Sequence, residues 1–227
     1  MAEETVFEEV GASKHKFSFE NLEHFFVENK QKIAIGAGVA ALVIGILLFV
    51  FLKFLPDRSL KAQREMYVAE LNFKKEAYEL ALNGDATGKG FLAIQKNYGF
   101  TKSANLCNYY IGLCYLNLKK YNDAVNYLDK FSTDDPIIGA AKFNALADAY
   151  AEQNKVDDAI KNYRKAANFS DNVEYAPYYL MKLGMYCEYS KKYKEAKEAY
   201  AEVKDKYPMT EAGRDAERYI ARVSVLQ

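Results

Sequence analysis

Twenty consecutive residues, Ile33 to Leu52, carry no polar side chain. A helix rises about 1.5 Å per residue, so this run reaches roughly 30 Å, the thickness of a bilayer's hydrocarbon core. Core helices of soluble proteins are seldom this long and apolar on every face. Lys30 and Lys32 flank one end and Lys53 and Arg58 the other, where long basic side chains can snorkel to an interface. A transmembrane helix over 33–55 is expected, in contact with lipid and with Ile33 and Leu52 at its apolar limits. A cleavable signal peptide has a shorter apolar region nearer the start and a small-residue cleavage site. Here Lys53-Phe-Leu-Pro-Asp57 follows, so the helix is read as an uncleaved anchor. Gly36 and Ala40, like Ala41 and Gly45, have the small-xxx-small spacing that lets another helix approach. The same pattern arises simply because Gly and Ala are common in membrane helices.

The anchor splits the chain into unlike parts. Residues 1–32 form an acidic arm with 7 Glu against 4 Lys, expected in the cytoplasm, and residues 53–227 carry 27 basic and 24 acidic groups. With 31 groups of each sign overall, the chain lacks the basic excess of a nucleic-acid binder. In the arm, Phe19, Leu22, Phe25 and Phe26 recur at helical spacing, with Ser18 as a plausible N-cap. This segment either lies on a membrane surface or partner, or simply continues the membrane helix. Lys14, Lys16, Lys30 and Lys32 on one side balance Lys53, Arg58, Lys61 and Arg64 on the other. The positive-inside rule is therefore tied.

All 19 Tyr lie beyond residue 66, in a stretch that repeats itself. Aligning Ala124, Ala159 and Ala196 gives periods of 35 and 37 residues. Twelve residues before each stands Gly112, Ala147 or Gly184, and three further on Tyr115, Tyr150 or Cys187. Four after each Ala come Leu128, Tyr163 and Tyr200, and twelve after come Pro136, Asp171 and Pro208. The period is close to the 34 or so residues of a tetratricopeptide repeat, two antiparallel helices with small residues where they cross. Pro136 and Pro208 are expected to stop the second helix of their units. One unit cannot bury its apolar face, so units stack into a solenoid. The expected fold is all-α: a tetratricopeptide-repeat solenoid tethered by one N-terminal transmembrane helix. The units are placed at 105–138, 140–173 and 177–210. A degenerate leading segment fills 56–103, helical from Ser59 to Leu82 and again near 91–98, and a capping helix fills 211–227.

Chemistry finds little purchase. Gly84-Asp-Ala-Thr-Gly-Lys-Gly90 has glycines and a lysine like a phosphate loop, but three residues separate the glycines, Gly follows Lys89, and no strand is expected before it. Cys107 and Cys114, seven apart on one helix, are too distant for a disulfide, and with Cys187 read as small buried hydrophobes. Free thiols fit a cytosolic domain somewhat better than an exported one. His15 and His24 both lie in the arm, which leaves the repeats without the commonest general base. No enzyme activity, metal, cofactor or small-molecule substrate is expected.

The expected binding surface is the concave groove lined by the first helix of each unit. It comprises Leu106, Tyr109, Tyr110, Leu113 and Leu116, then Asn144, Asp148 and Glu152, then Tyr178, Met181, Lys182, Met185 and Tyr189. Aromatic and Met side chains suit adaptable contact with peptides, and packing between units is the competing use. On this expectation, charged replacements of Tyr109 and Met181 weaken client binding without unfolding the domain. The Lys/Asn/Arg set with which some tetratricopeptide domains grip a C-terminal carboxylate is missing, since Tyr109, Leu113 and Ala145 stand in those places.

The layout resembles the bacterial YfgM-like family, ancillary subunits of the Sec translocon. The likeness runs through Glu28-Asn-Lys-Gln-Lys32, Ala104-Asn-Leu-Cys-Asn-Tyr-Tyr-Ile-Gly112, Lys119-Lys-Tyr-Asn-Asp-Ala-Val-Asn-Tyr-Leu128, Tyr178-Tyr-Leu-Met-Lys-Leu183 and Tyr207-Pro-Met-Thr-Glu-Ala212. The resemblance implies a single-pass protein of the bacterial inner membrane with a periplasmic C-terminal domain. Its implied partners are translocon subunits, a membrane-anchored periplasmic chaperone or prolyl isomerase, and unfolded emerging chains. The alternative is a cytosol-facing, membrane-anchored receptor or assembly scaffold.

Overall fold

The computed structural model describes residues 27–170 and 172–226; most of the acidic arm, with Ser18, Phe19 and both His, lies outside the described residues, as does Asp171. The chain divides into two compact units, Met1–Phe54 and Leu55–Gln227.

In the first unit, helix α1 (Lys30–Phe49) buries none of its residues. It ends in a π-helical turn, Val50–Phe54. Among the described residues, a Cβ added to Gly36, Gly38 or Gly45 would meet nothing within 4 Å. The helix is long and apolar enough to cross a membrane.

The second unit opens with α2 (Leu55–Lys74), which turns Ala62, Met66 and Ala69 inward at helical spacing. The larger Leu60, Tyr67 and Leu71 stand on its exposed side. Helix is not continuous to Leu82, as the periodicity suggests. Glu76 takes a left-handed φ of 60°, and Ala77 N donates to Asn72 O at 2.9 Å, a helix-ending motif. Helix α3 (Tyr78–Asn83) follows. The glycine-rich segment is a tight antiparallel ribbon, β1 (Gly84–Asp85) and β2 (Gly88–Lys89), rather than a plain loop. Gly84 is required there by its φ of 76° and by Gly90 and Gly88 backbone atoms pressed against it. Helix α4 (Phe91–Asn97) completes the leading segment.

Three helix pairs come next: α5 (Lys102–Asn117) with α6 (Tyr121–Lys130), α7 (Pro136–Glu152) with α8 (Val156–Ser170), and α9 (Ala176–Tyr189) with α10 (Tyr193–Lys206). Helix α11 (Glu211–Ser224) packs on α10 and α9. The first helix of every pair ends the same way. Lys119, Asn154 and Lys191 are left-handed, and the next amide donates back to Tyr115, Tyr150 or Cys187 at 2.8–3.0 Å. Pro136 does not stop α6, which has already ended at Lys130. It occupies the first turn of α7, with Asp135 as N-cap accepting from the Ile137 and Ile138 amides at 2.9 Å each. Proline suits that position because its missing N–H would have no helical partner. Pro208 does lie just beyond α10.

Packing explains the small residues. A Cβ on Gly112 would run into the Leu128 side chain, and one on Gly184 into the Tyr200 ring. The small position of the first helix and the fourth residue after the repeat Ala are thus one contact. The core follows the array in three clusters. One holds Met66, Phe91, Ile94, Cys107 and Ile111; one holds Leu128, Ala145 and Leu146; the third runs from Ala140 through Tyr163, Leu180 and Tyr200 to Val223. Apolar faces are buried between neighbouring units, as a stacked array requires.

Candidate functional site

The groove residues of the first pair are mostly used in packing. Leu106 and Tyr110 lie against the leading segment, where Tyr110 stacks on Phe91 at 4.9 Å and meets Phe73 edge-on at 5.3 Å. Tyr109, Leu113 and Leu116 turn the other way, onto Leu128, Ala145 and Leu146. Tyr109 also meets Phe131 at 5.2 Å, and burial pushes its phenol up to about 12.

The polar groove residues of the second and third pairs are brought together. Lys182 Nζ on α9 donates to Asn144 Oδ1 at 2.8 Å and to Asp148 Oδ2 at 2.9 Å on α7. Asn144 Nδ2 donates to Asp148 Oδ2 at 3.2 Å, and the Tyr163 hydroxyl donates to Asp148 Oδ1 at 2.5 Å. Burial, then the Asp148 charge and hydrogen bond, raise the Tyr163 phenol well above its usual range. Lys182 Nζ also sits 5.3 Å above the Tyr163 ring. This network clamps the second pair to the third. Tyr163 is its unforeseen member; the repeat alignment marks it as a packed position, and nothing in the sequence brings it to residues 148 and 182. Glu152, on the exposed side of α7, accepts from the Tyr121 hydroxyl at 2.9 Å.

On α9 the stripe is split. Tyr178, Met185 and Tyr189 are exposed, Tyr189 by 85%. Met181 is only 7% exposed and belongs to the third core cluster, which corrects its assignment to the groove surface. A charge placed there would be buried, so it would destabilise the domain and would not probe binding alone. Tyr109, packed in the second cluster, is likewise no surface probe.

Among the described residues no group of three or more His, Cys, Asp or Glu could hold a metal ion. All three cysteines are buried free thiols. Burial pushes Cys107 and Cys114 up to about 12 and Cys187 to about 11, which leaves no thiolate nucleophile near neutral pH. The side chains so arranged can pack, clamp and bind.

Comparison with known proteins agrees with this architecture. The tetratricopeptide repeat family profile matches residues 107–136 and 178–208, the first and third helix pairs. Two crystal structures of TPR-like repeats from a Podosopora anserina protein described as a putative kinesin light chain are similar, one of them carrying a glutamine-to-methionine replacement. Each is 14% identical and covers 75% of this chain and 85% of its own, with TM-scores of 0.50 and 0.51. At that identity the likeness concerns the fold alone. A search of curated protein sequences returned no significant match. The chain is an all-α protein whose helix pairs stack as tetratricopeptide-type repeats.

Proposed function

We propose that this chain is a membrane-anchored protein-interaction module, held by α1 in the bacterial inner membrane, and that it serves as an ancillary subunit of the Sec translocon. One observation carries the interaction role: the repeats stack into an array whose groove polar groups Asn144, Asp148 and Lys182 bind one another. Its exposed rings, Tyr178 and Tyr189, are left for partners. Tetratricopeptide repeats act as protein-binding scaffolds, and the YfgM-like layout points to translocon subunits, a periplasmic chaperone or prolyl isomerase, and emerging secreted chains. The thiols, which on sequence grounds favour a cytosolic domain, carry no such preference once buried. An inert thiol persists in an oxidising compartment as well as in a reducing one. The periplasmic orientation and the translocon role are tested together. Site-specific photocrosslinking of the full-length chain in membranes should trap translocon subunits, and a reporter fused after Gln227 should register the periplasm. A cytosolic reporter signal, or crosslinks only to proteins unconnected with secretion, would replace this function with that of a cytosol-facing receptor.

A further inference from the structure

Helices α7, α8 and α9 enclose an open cleft of about 630 Å³. Its walls include the rings of Tyr163, Tyr186 and Tyr189, the carboxylates of Asp148 and Glu152, and Ser190. Among the described residues no Lys or Arg lines it. The rings form a row: Tyr163 and Tyr186 are 5.3 Å apart by centroid, Tyr186 and Tyr189 6.4 Å. The row runs from buried Tyr163 at 3% exposure to Tyr189 at 85%. Ring faces carry negative charge density and attract cations. The charge of Asp148 is offset by Lys182 at 2.8 Å. Glu152 takes its bond from the neutral Tyr121 hydroxyl, which leaves its charge uncompensated by that bond. The chain already uses this chemistry, since the Lys182 ammonium rests over the Tyr163 ring and against Asp148.

We propose that this cleft receives a basic side chain, arginine in preference to lysine, from an extended partner peptide. A guanidinium is planar and weakly hydrated, so it can stack along the Tyr186–Tyr189 row while its fork bonds a carboxylate. An ammonium gains the charge but not the stacking. A neutral side chain loses both, and an acidic one is repelled by Glu152. The volume accommodates the side chain with adjoining backbone. This assignment rests on the interaction role and names what one site of that surface recognises.

The test uses the full-length chain in detergent micelles with ¹³C-labelled Tyr rings, titrated with acetyl-Gly-Arg-Gly-amide and its lysine, citrulline and glutamate counterparts. Saturable shifts are expected at Tyr186 and Tyr189 with arginine, weaker ones with lysine, and binding about ten-fold weaker with the neutral isostere citrulline. Glu152→Gln and Tyr189→Ala should each weaken arginine binding about five-fold with unchanged thermal melts, because both side chains are exposed. Equal shifts with citrulline, or arginine binding indifferent to both variants, would overturn the assignment. Partner crosslinking separates the two levels. If both variants trap partners as wild type does, the cleft is not the partner's site although the interaction role stands. If wild type traps none, the interaction role fails and the peptide titration alone decides what the cleft binds.

Discussion

Replacing Gly184 by Ala should destabilise the repeat array, although Ala is the better helix former. The gain in propensity is about 1 kcal/mol. Against it stands a Cβ built into the Tyr200 ring, closer to three ring carbons than real Cβ contacts allow. The ring cannot swing aside. Tyr200 is fully buried, and its hydroxyl donates to Glu188 Oε2 at 3.1 Å. Glu188 is itself held by Arg222 Nη2 at 2.7 Å. Overpacking a site of this kind costs about 1–3 kcal/mol, and relieving it by opening α9 from α10 would loosen the largest core cluster. With the overpacking cost in the upper half of that range, about 2–3 kcal/mol, because the ring is held in place, the expected net loss is about 1–2 kcal/mol, a fall in melting temperature of about 2–8 °C for a domain of this size. Far-UV circular dichroism of the full-length chain in detergent reads it, with Gly99→Ala as control, because only Gln95 O lies near that Cβ, at 4.0 Å. The second pair has Ala147 and Tyr163 at the equivalent positions, so the penalty measures the closeness of α9 and α10 and not a general intolerance of Ala. In a Tyr200→Ala background, which removes the ring that the Cβ would strike, the penalty should vanish, giving a coupling of about 1 kcal/mol or more. A Gly184→Ala chain as stable as wild type, or an equal loss in the Tyr200→Ala background, would refute the steric account.

Met181→Glu should cost about 2–5 kcal/mol by urea midpoint, and Met185→Glu, four residues along but 44% exposed, less than about 0.5 kcal/mol; similar losses would mean that Met181 is not packed. Lys191→Gly should stabilise the chain by up to about 1 kcal/mol by relieving the left-handed φ of 58°, and Asn154→Gly by less, because Asn tolerates that conformation better. The thiols of Cys107, Cys114 and Cys187 should resist a thiol-exchange dye at pH 8 in the folded chain and react together on unfolding, whereas prompt stoichiometric reaction of native protein would contradict their burial. Burial alone would raise the Glu202 carboxyl, but hydrogen bonds from Lys206 and Arg164 outweigh it and hold it below the usual range. A lowered folded-state pKa contributes stability above the unfolded value of about 4.3 that is lost as pH falls through the folded one. Glu202→Gln should therefore lower the melting temperature at pH 7 and converge on wild type toward pH 3; a gap independent of pH would show that the ion pairs are not its cause.

What the sequence disclosed of the fold was its contacts of fixed register. The offset from Gly112 to Leu128 recurs from Gly184 to Tyr200 because each is one steric contact repeated, and sterics restrict residue type. The helix ends were hidden for the opposite reason. Lys119 and Lys191 occupy a left-handed position where Gly is the usual signal, and Glu76 does the same within what reads as an unbroken helical pattern. The β1–β2 ribbon spans two residues a strand, too few for any periodicity to declare itself.

The binding surface was harder to read because helical spacing fixes which way a side chain leaves its helix, not what it then meets. Asn144, Asp148 and Lys182 do leave α7 and α9 toward one another, and for that reason they are consumed. A four-carbon ammonium can reach a carboxylate 34 residues away in sequence, and two half-buried opposite charges in adjoining helices satisfy each other before any ligand arrives. The same clamp shapes what remains. With Asp148 neutralised by Lys182 and Met181 drawn into the core, Glu152 is the carboxylate left beside the phenol rings at the junction, among neutral Ala151, Asn154, Val156 and Ser190. An array meant to hold apolar segments by adaptable Met contact would have kept its Met side chains on the surface. Here Met185 alone of the two is exposed, and rings with a carboxylate dominate the cleft. The internal ion pair therefore does more than fix the stacking of two repeats: by removing one negative charge and leaving another, it sets the sign of the partner side chain that the junction can accept.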